Sequence, residues 1–465
     1  MMRLQKTKAW ILRLIAGVSM LLVLLVLVVM FVNRADRPPS DVARDLERIA
    51  ESAAPVADRD NGYIFALGFS APDKADAGSV GIAHAEWLRK FMATAGPTEF
   101  PVLPGEKRAP SDTRDPDLKR IAALCKDAGL ACAKAMDGDQ LRLQASVQRN
   151  AELIERYETL TKLRQWRELW PDDVRSTFVP LNHVLEGQRL TLMKAWLMAS
   201  GGDASGCKHL LEQDLGFWRM VLADSSSLIV KVVAARAVEQ HFTMGNLALR
   251  RLGPASALKG VPDGWRIPVS GRERSMAKVM ANEWKFSDAQ LRLVTTSSAP
   301  IPAEAEAGLS DHVSNLFAPF LLQPQATSNA GAERLQAISA LFERDYPAMP
   351  GAANALLASE KAASNGVTGI SIYNPVGEIL VGLAGMENFT QYGFRIADLE
   401  GVRRVALLAA QLRSKAVDVE NLPQQIIQAD LRGPYDGKAF EWNAAEQSLA
   451  LRRTLAGKPD LYVVY

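Results

Sequence analysis

Histidine and cysteine are scarce: the 465-residue chain has five of the first and three of the second. A zinc site needs such ligands gathered into a compact tetrahedron. The histidines stand at 84, 183, 209, 241 and 312, and none pairs at helical ligand spacing. Cys207 and His209 are close in sequence, but alternate residues of a helix face different ways. No metal and no cofactor are expected. A charge excess is also missing, since 54 basic against 52 acidic residues leave a net charge of +2. Without a polybasic block outside the N-terminal flank, no nucleic-acid partner is expected.

Catalytic signatures are equally thin. No Gly-x-Ser-x-Gly elbow occurs. The stretch Gly433–Lys438 is one residue short of a phosphate loop, and Ala439 replaces the hydroxyl that would hold magnesium, so a hairpin turn is expected. Ser-x-x-Lys occurs twice, at Ser205–Lys208 and Ser275–Lys278, about as often as chance allows and without a companion Lys-Thr-Gly. The acid pairs Asp58/Asp60, Asp137/Asp139, Asp172/Asp173 and Glu304/Glu306 lie in polar turns or near helix starts. Capping is their expected role, with acid–base work on a glycan the alternative.

What is present is one long apolar run. Leu14 to Val32 is 19 residues without a charge, close to the roughly 20 that a membrane-crossing helix needs. Lipid offers no partners to backbone amides, so the run must be helical. Arg3, Lys6, Lys8 and Arg13 precede it, which favours a cytoplasmic N-terminus. A cleaved signal peptide has a shorter core of about 7–15 residues and a small-residue cleavage site. Phe31-Val-Asn-Arg-Ala35 offers none, so an uncleaved anchor is expected. The apolar segments Ile229–Ala237 and Val376–Leu383 are too short to span.

The resulting plan is a cytoplasmic tail (1–9), a transmembrane signal-anchor (10–33) contacting membrane lipid, and a juxtamembrane stalk (34–62). A helical ectodomain follows (63–430), with a subdivision near 253–300, and then a C-terminal β-hairpin or meander (431–465). The fold class is mainly α, with antiparallel helices joined by Gly/Asp turns such as Gly201-Gly-Asp203. One long helix is predicted through Val147–Leu163, closed by Trp166 and Trp170, with Pro171-Asp-Asp173 opening the next. Val402, Val405, Ala409 and Leu412 place an apolar face on a helix near 397–414. Alternation in Phe440–Trp442 and Leu449–Leu451, and the strand formers Leu461–Tyr465, predict the antiparallel meander.

Cys125 and Cys132 are seven residues apart, about 10 Å in one straight helix and too far to bridge. Gly129 can break that helix, so a Cys125–Cys132 disulfide with Cys207 free is expected, two buried thiols being the alternative. Arg395, Asp398, Glu400, Arg403 and Arg404 form the densest charge cluster. Surface salt bridging explains it, and the functional alternative makes Arg403 and Arg404 a partner or anion contact.

Several phrases occur together: Asn61-Gly-Tyr-Ile-Phe-Ala-Leu-Gly-Phe-Ser-Ala-Pro72, Gln323-Pro-Gln-Ala-Thr-Ser-Asn329, Tyr373-Asn-Pro-Val-Gly377, Asp398–Arg404 and Pro434–Trp442. The set resembles a group of uncharacterised single-pass envelope proteins of Gram-negative bacteria. That resemblance implies a bacterial inner-membrane protein with a periplasmic body, and carries over no catalytic residue. The expected function is binding or scaffolding an unidentified envelope protein. The alternative is an envelope hydrolase acting on peptidoglycan or lipid, with a site assembled from distant residues.

Overall fold

The computed structural model describes residues 2–52, 54–96, 99–105, 107, 115–176, 179–296, 321–365, 372–383, 385–454 and 460–465. Helix α1 (Met2–Val32) projects from the body, and its segment Arg13–Val32 is long and apolar enough to cross a membrane, with none of that segment buried. Directly after it, the chain is tied down. Asn33 donates to Ile372 O (2.7 Å) and accepts from Asn374 N (2.8 Å), and Asn329 donates to Pro38 O (2.9 Å). Asp36 accepts from the backbone amides of Gln325 and Ala326 at 2.6 and 3.0 Å. Helix α2 (Asp41–Glu51), capped by Ser40, then buries Ala43 and Leu46. The segment that follows α1 is therefore laid against the body.

The body is mainly α. Helices α3 (Gly62–Leu67) and α4 (Ala77–Thr94) approach closely through glycines. A Cβ on Gly81 would stand 2.0 Å from Ile64 O, and one on Gly68 2.1 Å from Ala77 O. Backbone cannot rotate aside as a side chain can. Gly81→Ala is expected to destabilise the body by about 1–3 kcal/mol, read as a lower urea midpoint with an unchanged slope.

Next come α5 (Pro116–Leu124), α6 (Leu130–Gly138), α7 (Gln140–Arg149) and α8 (Ala151–Leu160). The single long helix predicted through residue 163 is broken at Asn150, whose side chain donates back to Ser146 O at 2.9 Å. No helix opens at Pro171 either. Residues 162–176 contain no helix, and within them Asn61 and Gly62 take the backbone groups of Gln165 and Arg167. Gly62 N donates to Gln165 O (2.8 Å), Asn61 donates to Arg167 O (2.8 Å), and Arg167 N donates to Asn61 Oδ1 (2.9 Å).

Helices α9 (Leu181–Ser200), α10 (Ala204–Asp224) and α11 (Leu228–Leu249) pack on one another at the centre. Their tight links explain that: Gly202 turns at φ +84°, and Asp203 caps α10 by accepting from Gly206 N at 2.8 Å. Helix α11 is buried on most sides, and its buried polar groups His241 and Asn246 are hydrogen-bonded to Asp214 and to Val464 O. The chain goes on through α12 (Ala277–Thr296), α13 (Pro324–Phe342), α14 (Met349–Asn365), α15 (Pro375–Leu383), α16 (Met386–Ala397), α17 (Leu399–Ser414) and α18 (Leu422–Gln428), of which α12, α16 and α17 pack on α11. Val402, Val405, Ala409 and Leu412 are buried, as the periodicity of α17 predicts.

Strands β1 (Glu441–Asn443), β2 (Ser448–Leu451) and β3 (Leu461–Val464) form an antiparallel sheet in that order, with Trp442 opposite Leu449 and Leu449 opposite Val463. Asn246 of α11 donates to Val464 O at 2.7 Å, which ties the sheet to the central helix. The Gly433–Lys438 turn leads into β1 and is not the hairpin itself. It closes on its own backbone, Gly433 N donating to Lys438 O at 2.8 Å.

Candidate functional site

One edge of α11 stays uncovered. Ile229, Val232, Val233 and Arg236 recur at helical spacing, and Ile229 is 51% exposed while its neighbour Val230 is buried. Two cavities, of about 470 and 700 Å³, meet over Val232 and Val233. Helix α16 forms a shared wall: Tyr392 lines the smaller cavity and Arg395 the larger, the guanidinium lying 5.2 Å from the Tyr392 ring centre. The result is one groove with an apolar floor.

Its two ends differ. At the α11 N-terminus, Glu168, Glu283 and Phe286 face the smaller cavity. Glu168 Oε2 accepts from Ser226 N (2.7 Å) and Ser227 N (2.8 Å), and Oε1 accepts from the Trp166 indole (3.0 Å). An acid at a helix N-terminus meets unpaired amides and the positive end of the dipole. Burial nevertheless dominates and pushes the Glu168 carboxyl up to about 7. Burial also raises Glu283, against one hydrogen bond from the Leu228 backbone. At the other end, Arg236 and Arg453 both pair with Glu239, at 2.5 and 3.0 Å. Arg395 adds a third guanidinium whose Nε is buried without a hydrogen-bond partner among the described residues.

The raised Glu168 has a consequence for stability. Its folded form binds the proton more tightly than the unfolded chain, so its contribution is full below about 4.5 and is lost as pH rises through about 7. Asp398, pushed up to about 6 mainly by burial, acts in the same direction. Lys231, pulled down to about 7 by burial, opposes them only above that pH, so the two acids prevail below it and the body is expected to melt at a higher temperature at pH 5.5 than at pH 7. Glu168→Gln should flatten this dependence, a change on the order of a few kcal/mol, and calorimetry across that window reads it.

A second cluster has the composition of a catalytic relay and no access. Asp214 and His241 are fully buried, with His241 Nδ1 2.7 Å from Asp214 Oδ2. The Trp265 indole donates to His241 Nε2 (2.8 Å), and because that nitrogen must then accept, the ring proton sits on Nδ1, facing Asp214. Tyr157 donates to Asp214 Oδ1, Gln188 to Asp214 Oδ2 (3.2 Å), and the Trp218 indole to Tyr157 Oη (2.7 Å). Two indoles plug the outer positions, so this network holds α8, α9, α10 and α11 together.

The sequence-predicted residues are dispersed. Cys125 and Cys132 lie with Cα atoms 4.5 Å apart and are joined as a disulfide; Cys207 is free and buried, its thiol pushed up to about 12 by burial. Asp58 pairs with Arg89, Asp137 with Arg250 and Arg251, Asp139 with Arg120, and Asp172 with Lys285. Asp173 lines the groove, but its carboxylate is held by Arg175. Glu304 and Glu306 lie outside the described residues. Lys208 pairs with Asp263, and His209 is exposed while Cys207 faces inward.

The charge cluster of α17 is buried rather than superficial. Arg403 is 4% exposed and binds Glu400 through Nε (2.9 Å) and Nη2 (2.6 Å), while its Nη1 donates to Trp265 O (2.7 Å). Arg404 also donates to Glu400 (2.6 Å) and to Arg432 O (3.1 Å). Burial would raise the Glu400 carboxyl, but these arginines and Val269 N outweigh it and hold it below the usual range. Arg403 is thus spent inside the fold.

Sequence reading missed Glu168, Glu283, Arg236 and Arg453. A signal existed for one wall only, the 229/232/233/236 spacing, and it was blurred because α11 is apolar on its other faces too. Among the described residues no group of three His, Cys, Asp or Glu side chains is placed to hold a metal ion. No protein-family model, curated protein or solved structure matches the chain.

Proposed function

We propose that this chain is a single-pass inner-membrane protein of the cell envelope whose body binds a protein partner in the groove along α11. Helix α1 anchors it, the basic flank Arg3–Arg13 keeps the N-terminus cytoplasmic, and the body stands in the periplasm. The observation that carries the binding role is the open apolar edge Ile229, Val232 and Val233, walled by Tyr392 and ended by charged groups. An apolar centre with a polar rim is the anatomy of a protein-binding patch. A photocrosslinking residue at Val233, in the full-length protein in its native membrane, should capture one stoichiometric protein. Capture of lipid alone, or of nothing, sinks the proposal. Val233→Glu, introduced beside a crosslinker at Ile229, should reduce capture at least tenfold, about 1.4 kcal/mol or more of binding.

One observation favours a hydrolase as the second reading: Glu168 and Glu283 open on the same cavity, and burial raises both. A carboxyl held protonated near neutrality is what a general acid requires. Hydrolysis of peptidoglycan or lipid by the full-length protein, abolished in Glu283→Gln, would establish it.

A further inference from the structure

A second surface lies beside the anchor. Helix α15 exposes Ile379 (60%), Leu380 (43%) and Leu383 (76%), one turn apart or adjacent, and Ile372 just before it is exposed as well. Single exposed apolar residues are ordinary, but a cluster on one short helix calls for a cover. The segment is too short to span a membrane.

Its position says what covers it. Asn33, the first residue after α1, donates to Ile372 O and accepts from Asn374 N, and Gln323 donates to Asn33 O at 2.7 Å. Asn374 in turn accepts from Gln323 N (2.7 Å) and leads directly into α15. The end of the membrane-crossing helix and the start of the exposed apolar helix are thus bound to each other through buried amides. A Cβ on Gly377 would meet Thr327 Oγ1 at 2.0 Å, so α15 is also pressed closely against α13. Arg37 lies 4.8 Å from the Tyr373 ring centre and Arg34 4.3 Å from that of Phe31, which puts two cations where α1 ends.

We infer that α15 is a monotopic membrane contact: its Ile379, Leu380 and Leu383 face enters the interface of the bilayer that α1 crosses. Short apolar faces flanked by basic and aromatic residues bind that interface, and anionic headgroups strengthen the binding. The inference rests on the anchor reading of α1. Two contacts fix the body in height and rotation where one would leave it free to turn.

The test uses the full-length protein in vesicles of phosphatidylethanolamine and phosphatidylglycerol. Nitroxides are attached singly at Ile379→Cys, Leu383→Cys, Val18→Cys and Leu141→Cys. Cys207 is buried and does not compete for label. Accessibility is read with oxygen, which partitions into lipid, and a water-soluble nickel complex. Labels at 379 and 383 are expected to be several-fold less accessible to nickel than the label at Leu141, which is 82% exposed, and to gain accessibility to oxygen. Lipid signals at Val18 with water-like signals at 379 and 383 overturn the inference and leave the anchor standing. A water-like signal at Val18 overturns both. Spin–spin broadening at 383 in place of lipid exposure would mean that a second copy covers the patch, and also overturns it.

Discussion

Asp214→Ala is expected to cost about 3–5 kcal/mol, enough to leave the body marginal or unfolded at room temperature. The carboxylate collects donors from three helices: Tyr157, Gln188 and His241. Without it, Tyr157 and His241 are buried with no acceptor, at about 1–3 kcal/mol apiece, while Gln188 keeps its bond to Ala237 O (2.9 Å). Asp214→Asn should be milder, because the amide keeps one acceptor and the shape, while its NH₂ meets a donor. Urea unfolding followed by tryptophan fluorescence reads both, since Trp218 and Trp265 lie within the network. A loss under about 1 kcal/mol for Asp214→Ala would show that the network is not holding the helices.

Glu400→Ala should be comparably severe. It strands Arg403, which is nearly fully buried, and removes the acceptor for Val269 N. Breaking one side of a buried pair costs about 3–5 kcal/mol, whereas replacing both sides with apolar residues of similar volume is often close to neutral. Glu400→Leu with Arg403→Met is therefore expected to be more stable than Glu400→Ala alone. A double mutant at least as unstable as the single one would show that the hydrogen bonds to Val269 and Trp265, not the charge pair, carry the stability.

These sites also show what could and could not be read from sequence. The apolar helix 14–32 was legible because length and lack of charge are local properties. So was the meander, since Leu461–Tyr465 advertises strand by composition and its partners lie within 25 residues. The face of α17 was legible by period, but the depth of Glu400 and Arg403 was not, because burial depends on the 254–270 crossing that packs over them. The break at Asn150 carried no glycine or proline. The short extended piece at Gln165–Arg167 is held by Asn61 and Gly62, about a hundred residues earlier. Glu168 caps a helix that begins 60 residues after it. The groove is the least legible feature, because it is defined by which neighbour of α11 stands back.

The clamp of Asn33 and Asp36 onto residues 323–329 and 372–374 has a mechanical meaning. A flexible linker of about eight residues lets its ends wander over roughly 15 Å, and whatever it carries points in every direction. Here that slack is gone, so anchor and body act as one lever. A bilayer thicker or thinner than α1 prefers is accommodated partly by tilting the helix. With the joint tied down, such a tilt cannot be absorbed between α1 and the body; on the proposed reading it is resisted where α15 meets the bilayer. On the proposed membrane reading, the strain of a mismatched bilayer therefore falls on the whole molecule and not on a hinge.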